Sequence, residues 1–411
     1  MKEAITGWLH SHEQAMVESL CGLVKLPAVS PRDGGLGELA KAEWLSDLVR
    51  RLGLPAPKRY DAPDSAAKGG ARPNLVIEIP GRTKARTWFV THMDVVPEGD
   101  RSLWEFDPFT PFVVDGKIFG RGSNDNGQEM IASLYAAAAY LQLGIVPETC
   151  IGLAFVADEE LGSAFGISHL LKQGLFRPDD LVVVPDGGNE TGDFVEVAEK
   201  SVLWIEFTVE GKQVHASRPD LGNNACRAAN IFSVELDEAL HKAFPELDEL
   251  FEPPYSTFEP TRRLPNVANV NTIPGKEVLS FDCRVLPSVP LEEVESVMGE
   301  ISKRVSSKTG VQIGSVNIQR ATAAPVTPVD SPVVAKLGRS IRQVYGFEPR
   351  VGGVGGGTCA AHFRMAGIPA VVWAQEADTA HMPNEFAVIG HMVNEALVFA
   401  GMLQPETGPE G

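Results

Sequence analysis

Residues 151–163 read IGLAFVADEELGS. No charge interrupts the run from Ile151 to Ala157, which stops at Asp158, Glu159 and Glu160. A short apolar run without alternation fits a strand buried on both faces, as in a parallel sheet. The three acids then stand at its carboxyl end. So close together they repel, and each raises its neighbours' pKa unless a positive charge lies among them. Either they form a solvated turn, or a cation sits with them.

Working outward, similar apolar runs occur at 74–80 (NLVIEIP), 87–94 (TWFVTHMD), 181–186 (LVVVPD) and 369–375 (PAVVWAQ). Stretches of helical period, 126–144, 163–174 and 331–345, lie between them, with another helix after the Gly-rich VGGVGGGT at 351–358. Buried strands separated by helices predict an α/β domain with a mostly parallel sheet and helices on both faces. Near residue 200 the pattern changes. SVLWIEFTVEG (201–211) alternates like a half-exposed strand, followed by a helix at 223–243, a strand at 277–286, a helix at 291–308 and a strand at 311–319. With a further strand expected near 267–273, this order suits an inserted α+β domain of ferredoxin-like type. The expected division is 1–198 with 322–411, and 199–321 as the insert. Two sequential domains are the alternative.

A chain of 411 residues exceeds one ordinary core, in keeping with two domains. Its 36 basic and 54 acidic residues leave a net charge of −18, which argues against nucleic acid or an anionic membrane as partner. The start, MKEAITGWLH, has no apolar signal core, and the run ASLYAAAAYLQLGIV from Ala132 is too short to span a bilayer. Five scattered cysteines without a CxxC pair argue against a disulfide framework and point to a reducing cytoplasm.

The chemistry gathers at the strand ends. TWFVT runs into His92-Met93-Asp94, LVVVP into Asp186, PAVVWAQ is soon followed by His381, and Asp125 precedes the helix at 126–144. In an open α/β sheet, groups beyond the carboxyl ends of strands converge on one crevice. Taken singly, Asp125 is an ordinary helix cap, Asp186 a turn residue, Glu159-Glu160 a solvated turn and each histidine a packed or surface residue. Together they form a set of imidazoles and carboxylates that suits zinc, or cobalt or manganese, better than calcium. Two imidazoles with so many carboxylates fit two divalent ions sharing a bridging carboxylate, roughly 3.5–4 Å apart. Asp94 is placed to take the second N–H of His92 and fix its tautomer.

In order along the chain, HMDVVP (92–97), GRGSNDNG (120–127), ADEELGS (157–163), VVPDGG (183–188), GKQVHAS (211–217), NTIPG (271–275) and HMPNE (381–385) resemble the M20 family of dinuclear zinc peptidases and deacylases. That family includes succinyl-diaminopimelate desuccinylase, acetylornithine deacetylase, carboxypeptidase G and carnosinase-type dipeptidases. The resemblance implies that His92 and Asp186 bind one metal, His381 and Glu160 the other, and that Asp125 bridges them. It implies Glu159 as general base for hydrolysis of an N-acyl amino acid or short peptide, with a non-catalytic binding protein as the alternative. The insert becomes a lid through which a homodimer forms. His215 then reaches the partner's active site to polarise the scissile carbonyl, Arg284 holds a substrate carboxylate, and Asn271, or Asn269 if the alignment slips, touches substrate. Gly356, Gly357 and Thr358 line the pocket. No Lys-Ser/Thr follows the glycines, so a phosphate loop is not expected. Two positions depart from the family. The lysine common shortly after the bridging aspartate is missing from Asp125-Asn126-Gly127-Gln128. Asp186 stands where deacylases usually carry glutamate, which tilts the substrate towards di- or tripeptides.

Overall fold

The computed structural model describes residues 2–405, which separate into two compact units. Ala198–Pro325 with Gly352–Gly357 form one, and the remainder of the described chain the other. The larger unit is built on an eight-stranded sheet, the last residues of whose strands Phe194–Glu199 and Arg350–Val354 already count with the smaller unit. In spatial order its strands are Lys58–Arg59, Leu75–Ile79, Cys150–Val156, Arg86–His92, Leu181–Asn189, Ala370–Gln375, Phe194–Glu199 and Arg350–Val354. The four central strands, from Cys150–Val156 to Ala370–Gln375, run parallel. Antiparallel strands flank them.

The central strands carry no polar face because both faces are covered. Trp88, Val90, Ala154, Val156, Val182, Val184 and Val372 pack with Ile167, Leu170 and Phe363 on one side. On the other, Phe89 and Trp373 meet Phe399 of the helix Ile389–Met402, at ring separations of 4.8 and 5.8 Å. In the helix Gln128–Gln142 every residue to Tyr140 is buried. Each large apolar side chain so buried contributes about 1.5–3 kcal/mol. Register places the site: Arg86 to His92 pairs in step with Cys150 to Val156, so His92 and the acids after Val156 emerge at the same end.

Three boundaries differ from expectation. The strand Leu181–Asn189 continues past Asp186 beside Ala370–Gln375, where a Cβ on Gly188 would lie 2.0 Å from the Ala374 carbonyl oxygen. Only glycine allows the strands to approach so closely there. The helix expected from 126 begins at Gln128, because Asp125 and Asn126 hold non-helical backbone angles. The helix expected over 163–174 is Ile167–Lys172. Residues before it form a turn in which the Asp158 carbonyl accepts from Ser163 N–H at 2.6 Å and its carboxylate from Phe165 N–H at 3.2 Å.

The smaller unit is an antiparallel four-stranded sheet in the order Thr257–Arg263, Lys276–Val285, Ser201–Glu210, Gln312–Ala321, with the helices Ala225–Ala243 and Leu291–Thr309. The chain order is βαββαβ. Leu203, Ile205, Phe207 and Val209, alternate residues of one strand, share a core with Leu291, Val294, Met298, Ile301 and Val305, the apolar stripe of one helix. The strand expected near 267–273 is a correction. The fourth strand is Thr257–Arg263, and only Thr272–Ile273 of the expected segment pairs, with Val214–His215. Pro260 is tolerated because this is an edge strand, and the register shifts beside it. Gln312–Ala321 forms the other edge, exposed along nearly its whole length, with Val316 and Ile318 at 68% and 54%. Among the described residues no helix is long and apolar enough to cross a membrane.

Candidate metal centre

Asp125 lies at the middle of a divided set of donors. Its Oδ1 is 2.9 Å from His92 Nε2, which is also 3.2 Å from Asp186 Oδ1. Its Oδ2 is 3.0 Å from His381 Nε2, which is 3.1 Å from Glu160 Oε2. Each oxygen of one carboxylate therefore faces its own imidazole and its own second carboxylate. Glu159 offers a carboxylate oxygen within 4.8 Å of the donor atoms of His92 and Asp186.

The ring of His92 has a defined tautomer. Its Nδ1 is 3.0 Å from the Asp94 carbonyl oxygen, which can only accept, so Nδ1 carries hydrogen. In the neutral ring Nε2 then points a lone pair at two carboxylate oxygens. That contact is repulsive unless a proton or a metal ion lies between, and a neutral imidazole with its far nitrogen tied to a carbonyl is how metal-binding histidines are normally held. Burial alone would lower the His92 pKa, but Asp186, Asp125 and Asp94 drive it well above its ordinary value. Hydrogen bonding to Asp125 and Glu160 pushes His381 up to about 10. Burial, reinforced by neighbouring carboxylates, raises Glu159 and Asp186 and takes Glu160 to about 7. Asp125 is held below the usual range, since the two imidazoles outweigh its burial. Glu160 Oε1 is buried without a hydrogen-bond partner. The donor chemistry fits divalent cations, which would supply the charge these groups now draw from protons.

The sequence of Peptidase family M20/M25/M40 matches residues 88–404. An uncharacterized metallohydrolase of Methanocaldococcus jannaschii is 38% identical over 400 residues, covering 93% of this chain and 97% of its own. The chain belongs to peptidase family M20/M25/M40. The fold agrees. A tripeptidase from Staphylococcus aureus superposes with a TM-score of 0.75 at 18% identity, over 95% of this chain and 98% of its own. Human carnosine dipeptidase 1 gives 0.69 at 18%, over 98% and 99%. As a member of the M20 family the protein is a hydrolytic enzyme that uses divalent metal.

Around this cluster several side chains stand differently from expectation. The Asp94 carboxylate does not hold His92, whose Nδ1 lies 3.6 Å from its Oδ1 and bonds the Asp94 carbonyl instead. It accepts the backbone N–H groups of Glu159 and Glu160, each at 3.1 Å, and so orients both glutamates. Asp158 turns away from the cluster. Its backbone is left-handed, with φ 63°, and Oδ1 lies 3.5 Å from Arg72 Nη1, while Arg72 also grips Glu38 through Nε at 2.6 Å and through Nη2. Of the three adjacent acids, two face the site and one anchors the turn. Glu385 closes the HMPNE motif. It is fully buried and accepts from Arg121 at 2.6 Å and from the N–H groups of Gly122, Asn124 and Asp125 at 3.0–3.1 Å. Gly127, two residues after Asp125, admits no side chain, because a Cβ would lie 2.3 Å from the Gly122 carbonyl oxygen.

The remaining candidates lie mostly in the smaller unit. His215 is exposed, and its Nδ1 accepts the N–H of Ser217 at 3.2 Å, which leaves Nε2 as the hydrogen-bearing nitrogen of the neutral ring. Arg284 is held by Asp282 at 2.6 and 3.0 Å and by the Gly355 carbonyl at 2.7 Å. A substrate carboxylate at Arg284 would thus compete with Asp282. Asn271 and Asn269 are exposed and bond each other through their side-chain amides. Gly356 and Gly357 fall in this unit, and Gly357 approaches Glu199, with 3.6 Å between the position of a Cβ and Oε2. Thr358 belongs to the larger unit, where its hydroxyl accepts the N–H of Ala360 at 3.1 Å.

Proposed function

We propose that the protein hydrolyses the amide bond of a short peptide or N-acyl amino acid at a centre of two divalent ions, with Glu159 as general base. The observation that carries this reading is the division of donors about Asp125: His92 and Asp186 on one oxygen, His381 and Glu160 on the other. The first three residues would hold one ion, and His381, Glu160 and the shared Asp125 the second. Imidazole and carboxylate without thiolate suit zinc, with cobalt or manganese as substitutes. Ions bound there supply Lewis acidity and lower the pKa of water.

Glu159 takes a proton from water on its carboxylate and hands it to the nitrogen of the leaving amine. The Asp94 carboxylate, by holding the N–H groups of both glutamates, keeps Glu159 and Glu160 aimed at different tasks. His215, with hydrogen on Nε2, is equipped to donate to a substrate carbonyl, and its proposed place is the active site of a partner in a homodimer formed through the smaller unit. Arg284, Asn271, Gly357 and Thr358 are the proposed substrate contacts. The tripeptidase and dipeptidase names of the structural neighbours, together with Asp186, support short peptides over acylated amino acids. Five cysteines free of disulfides support a cytoplasmic setting.

The test is Glu159→Gln on metal-loaded protein, assayed by mass spectrometry against dipeptides and N-acetyl and N-succinyl amino acids, with EDTA controls. The expected variant keeps its metal content and loses about 10²–10⁴-fold in turnover of the dipeptide set. Full activity would remove Glu159 from its role. Cleavage confined to the acylated set would overturn the peptide preference, and no metal-dependent cleavage in either set would overturn the substrate reading.

A further inference from the structure

Asn126 follows Asp125 and is buried, with 2% of its surface exposed. Both ends of its amide are engaged. Oδ1 accepts the backbone N–H of His92 at 3.1 Å, while Nδ2 donates to the Pro185 carbonyl at 2.5 Å and to Glu129 Oε2 at 3.2 Å. The orientation is unambiguous, because a backbone N–H can only donate and a carbonyl can only accept. Glu129 is fixed in turn by Gln128 Nε2 at 3.0 Å. One side chain thus ties the end of the His92 strand to the strand residue preceding Asp186, and it is covalently next to Asp125.

His92, Asp125 and Asp186 are the donors of one half of the centre. Asn126 makes no hydrogen bond to Glu160 or His381, whose holders, Asp94 and Glu385, also touch His92 and Asp125. The Asp94 carboxylate accepts the Glu160 N–H, and Arg121, bound to Glu385, reaches the His381 carbonyl at 3.4 Å. We infer that Asn126 is a positioning residue for one half of the centre, setting the spacing of His92, Asp125 and Asp186. An outer group that orients metal ligands typically changes metal affinity by about 10–100-fold when removed. Asp125 serves both ions, but the two strand ends that Asn126 ties together carry His92 and Asp186, so the loss falls mainly on their ion. This inference rests on the two-ion reading.

The experiment titrates metal-free protein with Co²⁺, following heat and visible absorption, for the wild type, Asn126→Ala and Asn126→Leu. Melting temperatures of the metal-free proteins check folding. The wild type is expected to take up two ions. Each variant should bind one ion as the wild type does and the second about 10–100-fold more weakly. In a His381→Ala background, which spares only the half Asn126 supports, Asn126→Ala should weaken the remaining ion by the same factor. In an Asp186→Ala background it should change the remaining ion little. If both steps weaken equally, if neither moves, or if the two backgrounds respond alike, Asn126 is not a positioning residue for one half. A wild type that binds a single ion would instead sink the two-ion reading itself. Should Asn126→Leu fail to fold, the smaller Asn126→Ala and its two backgrounds decide the question.

Discussion

Lys41 is an ammonium buried among acids. It is 5% exposed, and burial lowers its pKa to about 8 although Asp94, Glu38, Glu385 and Asp125 all pull it upward. An unfolded lysine titrates near about 10.4, so between these values the unfolded chain binds more protons than the folded one. Lys41 by itself should therefore add roughly 3 kcal/mol of stability to the metal-free protein as pH rises from about 8 to 10, against the opposite slope of His381 and His92, whose raised pKa values make them lose stability over the same range. Urea titrations across that range should show the stability of the wild type gaining on that of Lys41→Met as pH rises. Parallel curves would show that Lys41 is not strained by its burial. At this scale the sequence was partly legible. His92, Asp125, Glu160, Asp186 and His381 stood out because in the sequence each closes or follows an apolar run or precedes a stretch of helical period. The bond partners of Asp94, Asn126 and Glu385 did not, since which carboxylate oxygen meets which backbone N–H depends on turns that no spacing encodes.

At the scale of elements, the turn after Cys150–Val156 hangs on one cation. Arg72 joins Glu38 of the chain before the helix Leu39–Arg51 to Asp158 at the head of the turn. Arg72→Met would leave the buried Glu38 and Asp158 without their guanidinium partner, and losses of about 3–5 kcal/mol follow when a buried pair is broken this way. The urea midpoint should fall with the slope unchanged. A loss below about 1 kcal/mol, the range of exposed pairs, would mean that water reaches the network. The central strands were readable because burial on both faces leaves uninterrupted apolar runs, as in LVVVP and IGLAFVA. Thr257–Arg263 was not. Its TFEPTRR sequence lacks an apolar face because all but its first two residues are exposed, and its proline marks an edge. The alternation within 267–273 imitated a strand, yet Val270 stands fully in solvent.

For the whole molecule the expectation is a homodimer, in which His215 serves the partner's site. Light scattering should give twice the 44.2 kDa chain mass, and mixing Glu159→Gln with His215→Ala protein should restore activity to one site in each mixed pair. A fully active monomer would end the assignment of His215 in trans. The exposed edge Gln312–Ala321 gives this assembly a practical side. Ten residues of open backbone, with Val316 and Ile318 facing water, form a template on which any extended chain can add. Arg320, paired with Glu292 and Glu295, guards only one end. Ile318→Lys is therefore expected to slow aggregation of the stored protein, read as light scattering over time, and an unchanged rate would take this edge out of the process.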